Sequence, residues 1–134
     1  MTVSKTVKQW LKYARTDIKM AKASLELSSE YKNGAAFLAQ QCAEKAIKGY
    51  LAFMKVRFPK THNMAQLLAE VEKINPHLAK TLSKSKSLTA YAVTYRYPDA
   101  ERKPLTVAKA KIAITVAEKV LVICLDEISS IENG

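Results

Sequence analysis

Residues 4–29, SKTVKQWLKYARTDIKMAKASLELSS, place Val7, Trp10, Leu11, Ala14, Ile18, Ala21 and Leu25 at steps of three and four. A helix gathers those positions into one stripe, whereas a strand would scatter them over both faces. The stretch therefore predicts an amphipathic helix close to 40 Å long, at ~1.5 Å per residue. Such a helix has to bury its stripe against neighbours, and the rest of the chain supplies them in the same period.

Asn33-Gly34 interrupts the pattern, with Asn33 a candidate N-cap. A second helix is expected from about Asn33 to Val56, on Ala35, Leu38, Ala39, Cys42, Ala43, Ala46, Ile47, Tyr50, Leu51 and Met54. Its many alanines imply close approach to a neighbour, and Pro59 is expected to stop it. Thr61 or Asn63 can cap a third helix carrying Met64, Leu67, Leu68, Val71 and Ile74, which Asn75-Pro76 ends. Pro76 suits the first turn of a fourth helix, with Leu78, Leu82, Leu88, Ala92 and Tyr95 inward and Ser83-Lys84-Ser85-Lys86-Ser87 fraying its middle. A fifth, from about Pro104 to Ile131, lays down Val107, Ala110, Ile114, Ala117, Leu121, Cys124 and Ile128. Ile112, Val116 and Ile123 fall beside that stripe, as either a homodimer face or the second flank of a central helix. The reading is a single all-α domain over residues 1–134, an up-down antiparallel bundle of about five helices.

Composition agrees. A chain of 134 residues can bury a core without staples. With 3 Gly and 4 Pro there is little material for the turns of a β-sandwich. Cys42 and Cys124 each sit inside an apolar helical pattern and are expected as buried free thiols. The N-terminus lacks the apolar stretch of a signal peptide and no apolar run is long enough to span a bilayer, so a soluble, cytoplasmic protein is expected. A net charge of +10 favours acidic partners such as RNA, DNA or nucleotides.

Several clusters carry potential chemistry. Lys5, Lys8, Lys12, Arg15, Lys19 and Lys22 form a basic stripe roughly 130° from the apolar one, which is either a solvated face or a track for a phosphate backbone. Asp17 falls on the inner side and calls for a basic partner such as Lys45 or Lys48. Gln40-Gln41-Cys42-Ala43-Glu44-Lys45-Ala46-Ile47-Lys48 is dense enough in polar groups for an interhelical network. Lys60-Thr61-His62-Asn63-Met64 opens the third helix, where free N–H groups favour an anion and His62 is a candidate ligand contact or acid-base group, unless capping uses those groups instead. Of Tyr91, Tyr95, Arg96 and Tyr97, the first two read as packing and the last pair as candidates for gripping a base or phosphate. His77 reads as an exposed surface residue. No metal-ligand spacing, P-loop or dinucleotide fingerprint is present, and neither a metal nor a cofactor is expected.

Four of these pieces resemble, in order and spacing, the HEPN (higher eukaryotes and prokaryotes nucleotide-binding) domain family. They are Trp10-x3-Ala14-x2-Asp17-Ile18-x2-Ala21, Gln40-Gln41-Cys42-Ala43-Glu44-Lys45-Ala46-x-Lys48, Lys60-Thr61-His62-Asn63-Met64 and Arg96-Tyr97-Pro98-Asp99. The resemblance implies an up-down bundle, commonly dimeric. In prokaryotes it implies a minimal nucleotidyltransferase partner in a toxin–antitoxin-like pair. Many members are metal-independent ribonucleases with an Arg-x4-6-His motif, a spacing that Arg57 and His62 satisfy here, although Pro59 intervenes. Three functions follow as expectations. The first is a nucleotide- or RNA-binding module acting through the basic helix, Lys60, Thr61, His62, Arg96 and Tyr97. The second is a ribonuclease with His62 as acid-base and Arg57 as phosphate stabiliser, and the third is a non-enzymatic interaction bundle.

Overall fold

In the computed structural model, which describes residues 2–134, the opening pattern forms α1 (Lys5–Leu27). Met1, the first residue of the N-terminal stretch considered above, lies outside the described residues. Ser4 caps α1, its hydroxyl accepting from Val7 N at 3.2 Å. A one-turn 3-10 segment (Ser29–Tyr31) leads directly into α2 (Lys32–Phe53). Asn33 therefore sits in the first turn of α2 rather than capping it, and its side-chain amide reaches across to Tyr95 O at 3.4 Å.

The bundle is organised around α2, which packs against α1 on one side and α6 (Val107–Asn133) on another. Ala35, Ala36, Ala39, Ala43, Ala46 and Gly49 are all buried, so the neighbouring backbones come close. At Gly49 the fit is tightest, because an added Cβ would lie 3.1 Å from Leu11 Cδ2 and 3.2 Å from Trp10 Cβ. α3 (Met64–Ile74) and α4 (Pro76–Thr81) close one end of the core. Asn63 caps α3 and Asn75 caps α4, with Pro76 in its first turn. Ile74, expected inward, is instead 40% exposed at the end of α3.

The expected fourth helix is broken. After α4 the chain runs as a 3-10 segment (Ser83–Leu88), then α5 (Thr89–Val93), then a 3-10 turn (Thr94–Arg96). The serines explain the break. Ser85 Oγ donates to Leu82 O at 2.7 Å and Ser87 Oγ to Lys84 O at 2.8 Å, so hydroxyls bind carbonyls that a continuous helix would use.

α2 also ends earlier than Pro59 would require. Lys55 adopts a left-handed conformation with φ 59°, its N–H bonds Ala52 O at 3.0 Å, and the Val56 N–H bonds Leu51 O at 2.9 Å. This pair of bonds is the Schellman ending, normally built on glycine. Arg57 consequently lies beyond the helix, exposed in the connection to α3. Lys55→Gly is expected to raise stability by about 0.5–1 kcal/mol, since relief of left-handed strain exceeds glycine's extra freedom in the unfolded chain. A denaturant midpoint unchanged or lowered would refute this.

Both cysteines are free and buried as expected. Burial pushes the Cys42 thiol up to about 12, with the nearby Asp17 and Glu118 charges adding to the rise, and raises Cys124 as well. Neither is a nucleophile at neutral pH. On α6, Val116 and Ile123 pack partly against the core, which leaves Ile112 (63% exposed) and Val122 (54%) as the open apolar positions.

Candidate functional site

Seven residues make almost two helical turns, so Phe37 and Glu44 share a face of α2 about 10 Å apart along its axis. Glu44 is buried and is the centre of the site. Its Oε1 receives Gln40 Nε2 at 3.0 Å and lies 2.8 Å from His62 Nδ1, while its Oε2 receives Lys48 Nζ at 3.0 Å. Gln40 is also buried. Its amide nitrogen lies 3.3 Å from His62 O, and its carbonyl accepts from Gln41 Nε2 at 2.7 Å. The i, i+4 ladder Gln40–Glu44–Lys48 thus holds both the backbone and the ring of His62.

Burial raises the Glu44 pKa, but hydrogen bonds from Gln40, His62 and Lys48, together with the Lys48 charge, outweigh it and hold the carboxyl below its ordinary value. An ionised Glu44 accepts from Nδ1–H of His62 and so fixes the ring's tautomer. The His62 side chain is 59% exposed. It therefore offers Nε2 to solvent, as an acceptor when neutral and a donor when protonated.

Aromatic rings wall the buried end of this network. The Lys48 ammonium sits 5.7 Å from the Trp10 ring and 6.0 Å from the Phe58 ring, and those two rings meet edge to face at 6.2 Å. Asp17 finds the basic partner it needs in Lys45, at 2.6 Å, and Lys45 also lies 5.9 Å over Tyr13.

At the other end of the same face Arg96 covers Phe37, its guanidinium carbon 4.0 Å from the ring centroid. Arg102, which the sequence reading did not single out, fixes the surrounding segment. It donates to Thr94 O at 2.7 Å and Tyr97 O at 2.8 Å and covers Tyr95 at 4.8 Å. Tyr91 and Tyr95 pack on each other at 5.5 Å, as expected of packing residues, while Arg96 and Tyr97 remain exposed.

The structure separates the basic stripe from these residues. Trp10, Tyr13 and Asp17 occupy the flank of α1 that faces α2, and the stripe lies on the other flank. There Lys22 pairs with Glu118 of α6, and Lys8 and Arg15 line a groove with Asp126 and Glu132 of α6. Lys5, Lys12 and Lys19 are exposed.

The start of α3 is largely committed to internal bonds. Met64 N donates to Thr89 Oγ1 at 3.1 Å, Gln66 N to the Asn63 side chain at 3.2 Å, and Thr61 Oγ1 accepts from Asn63 N at 3.0 Å. Few free N–H groups remain there to hold an anion, so His62, Lys60 and Arg57, all exposed in the connection before α3, are what that segment presents. His77 is exposed, as expected. Among the described residues no three His, Cys, Asp or Glu side chains converge as a metal would require, and no helix is long and apolar enough to cross a membrane.

The HEPN domain model matches residues 7–128, nearly the whole bundle and every element of this site. The chain belongs to the HEPN family. Among solved structures, the crystal structure of TT1696 from Thermus thermophilus is similar at 27% identity and a TM-score of 0.75, over 92% of this chain and 98% of that one. ST0689, an archaeal HEPN homologue, is similar at 26% identity and a TM-score of 0.70, over 93% and 99% of the two chains. None of the curated proteins compared is similar in sequence to this chain. Within this HEPN domain Glu44, Phe37 and Arg102 are the site residues that sequence reading passed over as individuals, and Lys48, a candidate partner for Asp17, instead pairs with Glu44. The i, i+4 spacing of Gln40, Glu44 and Lys48 was the available signal.

Proposed function

We propose that this HEPN domain binds RNA or a nucleotide at the α2 face, with His62 as the central contact and Lys60, Arg96 and Tyr97 around it. The observation that carries the reading is the 2.8 Å bond between His62 Nδ1 and buried Glu44, which holds an exposed imidazole in one tautomer. Arg57 and Lys60 add exposed positive charge in the same connection. The basic stripe acts through its long-range field, since Lys22, Lys8 and Arg15 face acidic residues of α6. The domain works as a homodimer, supported by the open apolar positions Ile112 and Val122. The pairing with a minimal nucleotidyltransferase, toxin–antitoxin fashion, rests on the family alone.

The same bond favours a second reading, metal-independent RNA cleavage. An imidazole fixed at Nδ1 can accept the 2′-hydroxyl proton at Nε2 as the 2′-oxygen bonds to phosphorus and the 5′-oxygen departs. The proton then passes back to the departing oxygen, and Arg57 stabilises the phosphate charge.

One experiment serves both. Wild-type protein is expected to bind a labelled single-stranded RNA with affinity that falls steeply with salt. His62→Ala is expected to weaken that binding about tenfold, the size of one lost hydrogen bond. Absence of binding at low salt, or identical affinity in the variant, would overturn the binding reading. Cleavage in excess chelator that disappears in His62→Ala would establish the enzyme instead.

A further inference from the structure

Arg96 and Arg102 lie six residues apart, yet the structure uses them differently. Arg102 is committed, with both terminal nitrogens on backbone carbonyls of Thr94 and Tyr97 and its plane against Tyr95. Arg96 rests flat enough on Phe37 to bring its guanidinium carbon within 4.0 Å of the ring centroid, and it is exposed. The guanidinium is thus backed by an aromatic ring, and among the described residues no hydrogen bond or ion pair engages it. Asn33, Gly34, Phe37, Leu38, Tyr95 and Arg96 line an open cleft of about 430 Å³ here, and Tyr97 stands beside it at 71% exposure.

A guanidinium backed by a ring is built to take a second flat group. It stacks on an unpaired base through its open face and donates to a phosphate along its edge. Its position matters as much. Phe37 sits on the α2 face that carries Glu44, the partner of His62, and lies about 10 Å from Glu44 along the axis. We propose that Phe37 and Arg96, presented by the Arg102-pinned turn, form a base-stacking subsite that makes single-stranded RNA the ligand class of this face. This rests on the RNA-binding reading above and adds to it a selection against duplex, whose bases are already stacked on each other.

The test compares a single-stranded RNA of mixed sequence with the same RNA annealed to its complement, both at low salt. A second single strand carries 2-aminopurine, whose fluorescence is quenched on stacking. Wild-type protein is expected to prefer the single strand by roughly tenfold or more, the size of one stacked base, and to quench the probe. Arg96→Lys keeps the charge and removes the plane. It is expected to lose that preference and the quenching, its single-strand affinity falling further than its duplex affinity, and unchanged circular dichroism verifies its fold. RNA binding that does not distinguish single strand from duplex, or an Arg96→Lys variant that retains both preference and quenching, would overturn the subsite and leave the RNA-binding reading standing. Failure of wild type to bind either form would remove both.

Discussion

Glu44→Ala is expected to lower the unfolding free energy by about 3–5 kcal/mol, the cost of breaking a buried ion pair from one side. The substitution leaves Lys48, 8% exposed, with its charge between Trp10 and Phe58 and no carboxylate. It also leaves the Gln40 amide and the His62 ring without their shared acceptor. A double variant, Glu44→Ala with Lys48→Met, is expected to recover much of the loss because it removes the stranded charge along with its partner. If Glu44→Ala alone unfolds within 1 kcal/mol of wild type, the ladder is a surface ornament and not a structural element.

The same carboxylate gives the fold a pH signature. Its pKa is lowered on folding, so its contribution is fully present above the unfolded carboxylate value of about 4.3 and is lost as pH falls through the lower folded value. Stability should therefore decline from about pH 5 downward. Glu44→Gln, which cannot ionise, should flatten that decline.

Helix existence was legible from α1 outward because burial on one side writes a 3.6-residue period into the sequence, and Val7, Leu11, Ala14, Ile18 and Ala21 are all buried. The free thiols followed from the same wheel, as did Asp17's need of a basic partner, for which Lys45 and Lys48 were both candidates and Lys45 is the one that pairs. The break in the fourth segment was legible in place, as the serine-rich stretch expected to fray, but not in extent, because its Leu78, Leu82 and Leu88 keep their inward places while serine hydroxyls decide the backbone locally. Asn33 was misplaced for a related reason: a side chain that caps in one setting bonds a distant carbonyl in another, and only the fold brings Tyr95 O within reach.

The site was half legible. The periodicity located a basic stripe on α1 but could not say which flank of that helix meets α6, and Glu118, Asp126 and Glu132 turn out to lie there. His62 was visible as a residue type. Its tautomer was not, since that depends on the connection after α2 folding back across Glu44, a path set by the left-handed Lys55.

Tyr50→Ala is expected to cost about 3–5 kcal/mol, and Tyr50→Phe about 1 kcal/mol. Tyr50 is 1% exposed and among the largest fully buried side chains, so truncation opens a cavity at the helix on which the others pack. Its hydroxyl adds a smaller, separable contribution. Burial raises the phenol pKa, opposed by the neighbouring Asn75 side chain, which donates to Glu127 of α6 at 3.2 Å and caps α4 by accepting from Leu78 N at 3.0 Å. Asn75 therefore ties α4 to α6 with one amide, next to the Tyr50 phenol. A Tyr50→Phe variant as unstable as Tyr50→Ala would place the energy in the hydroxyl network. Equal stability of Tyr50→Phe and wild type would place it all in the ring. The expected split, a large loss with the ring and a small one with the hydroxyl, follows because cavity and transfer costs scale with buried volume while a hydrogen bond replaces one made to water.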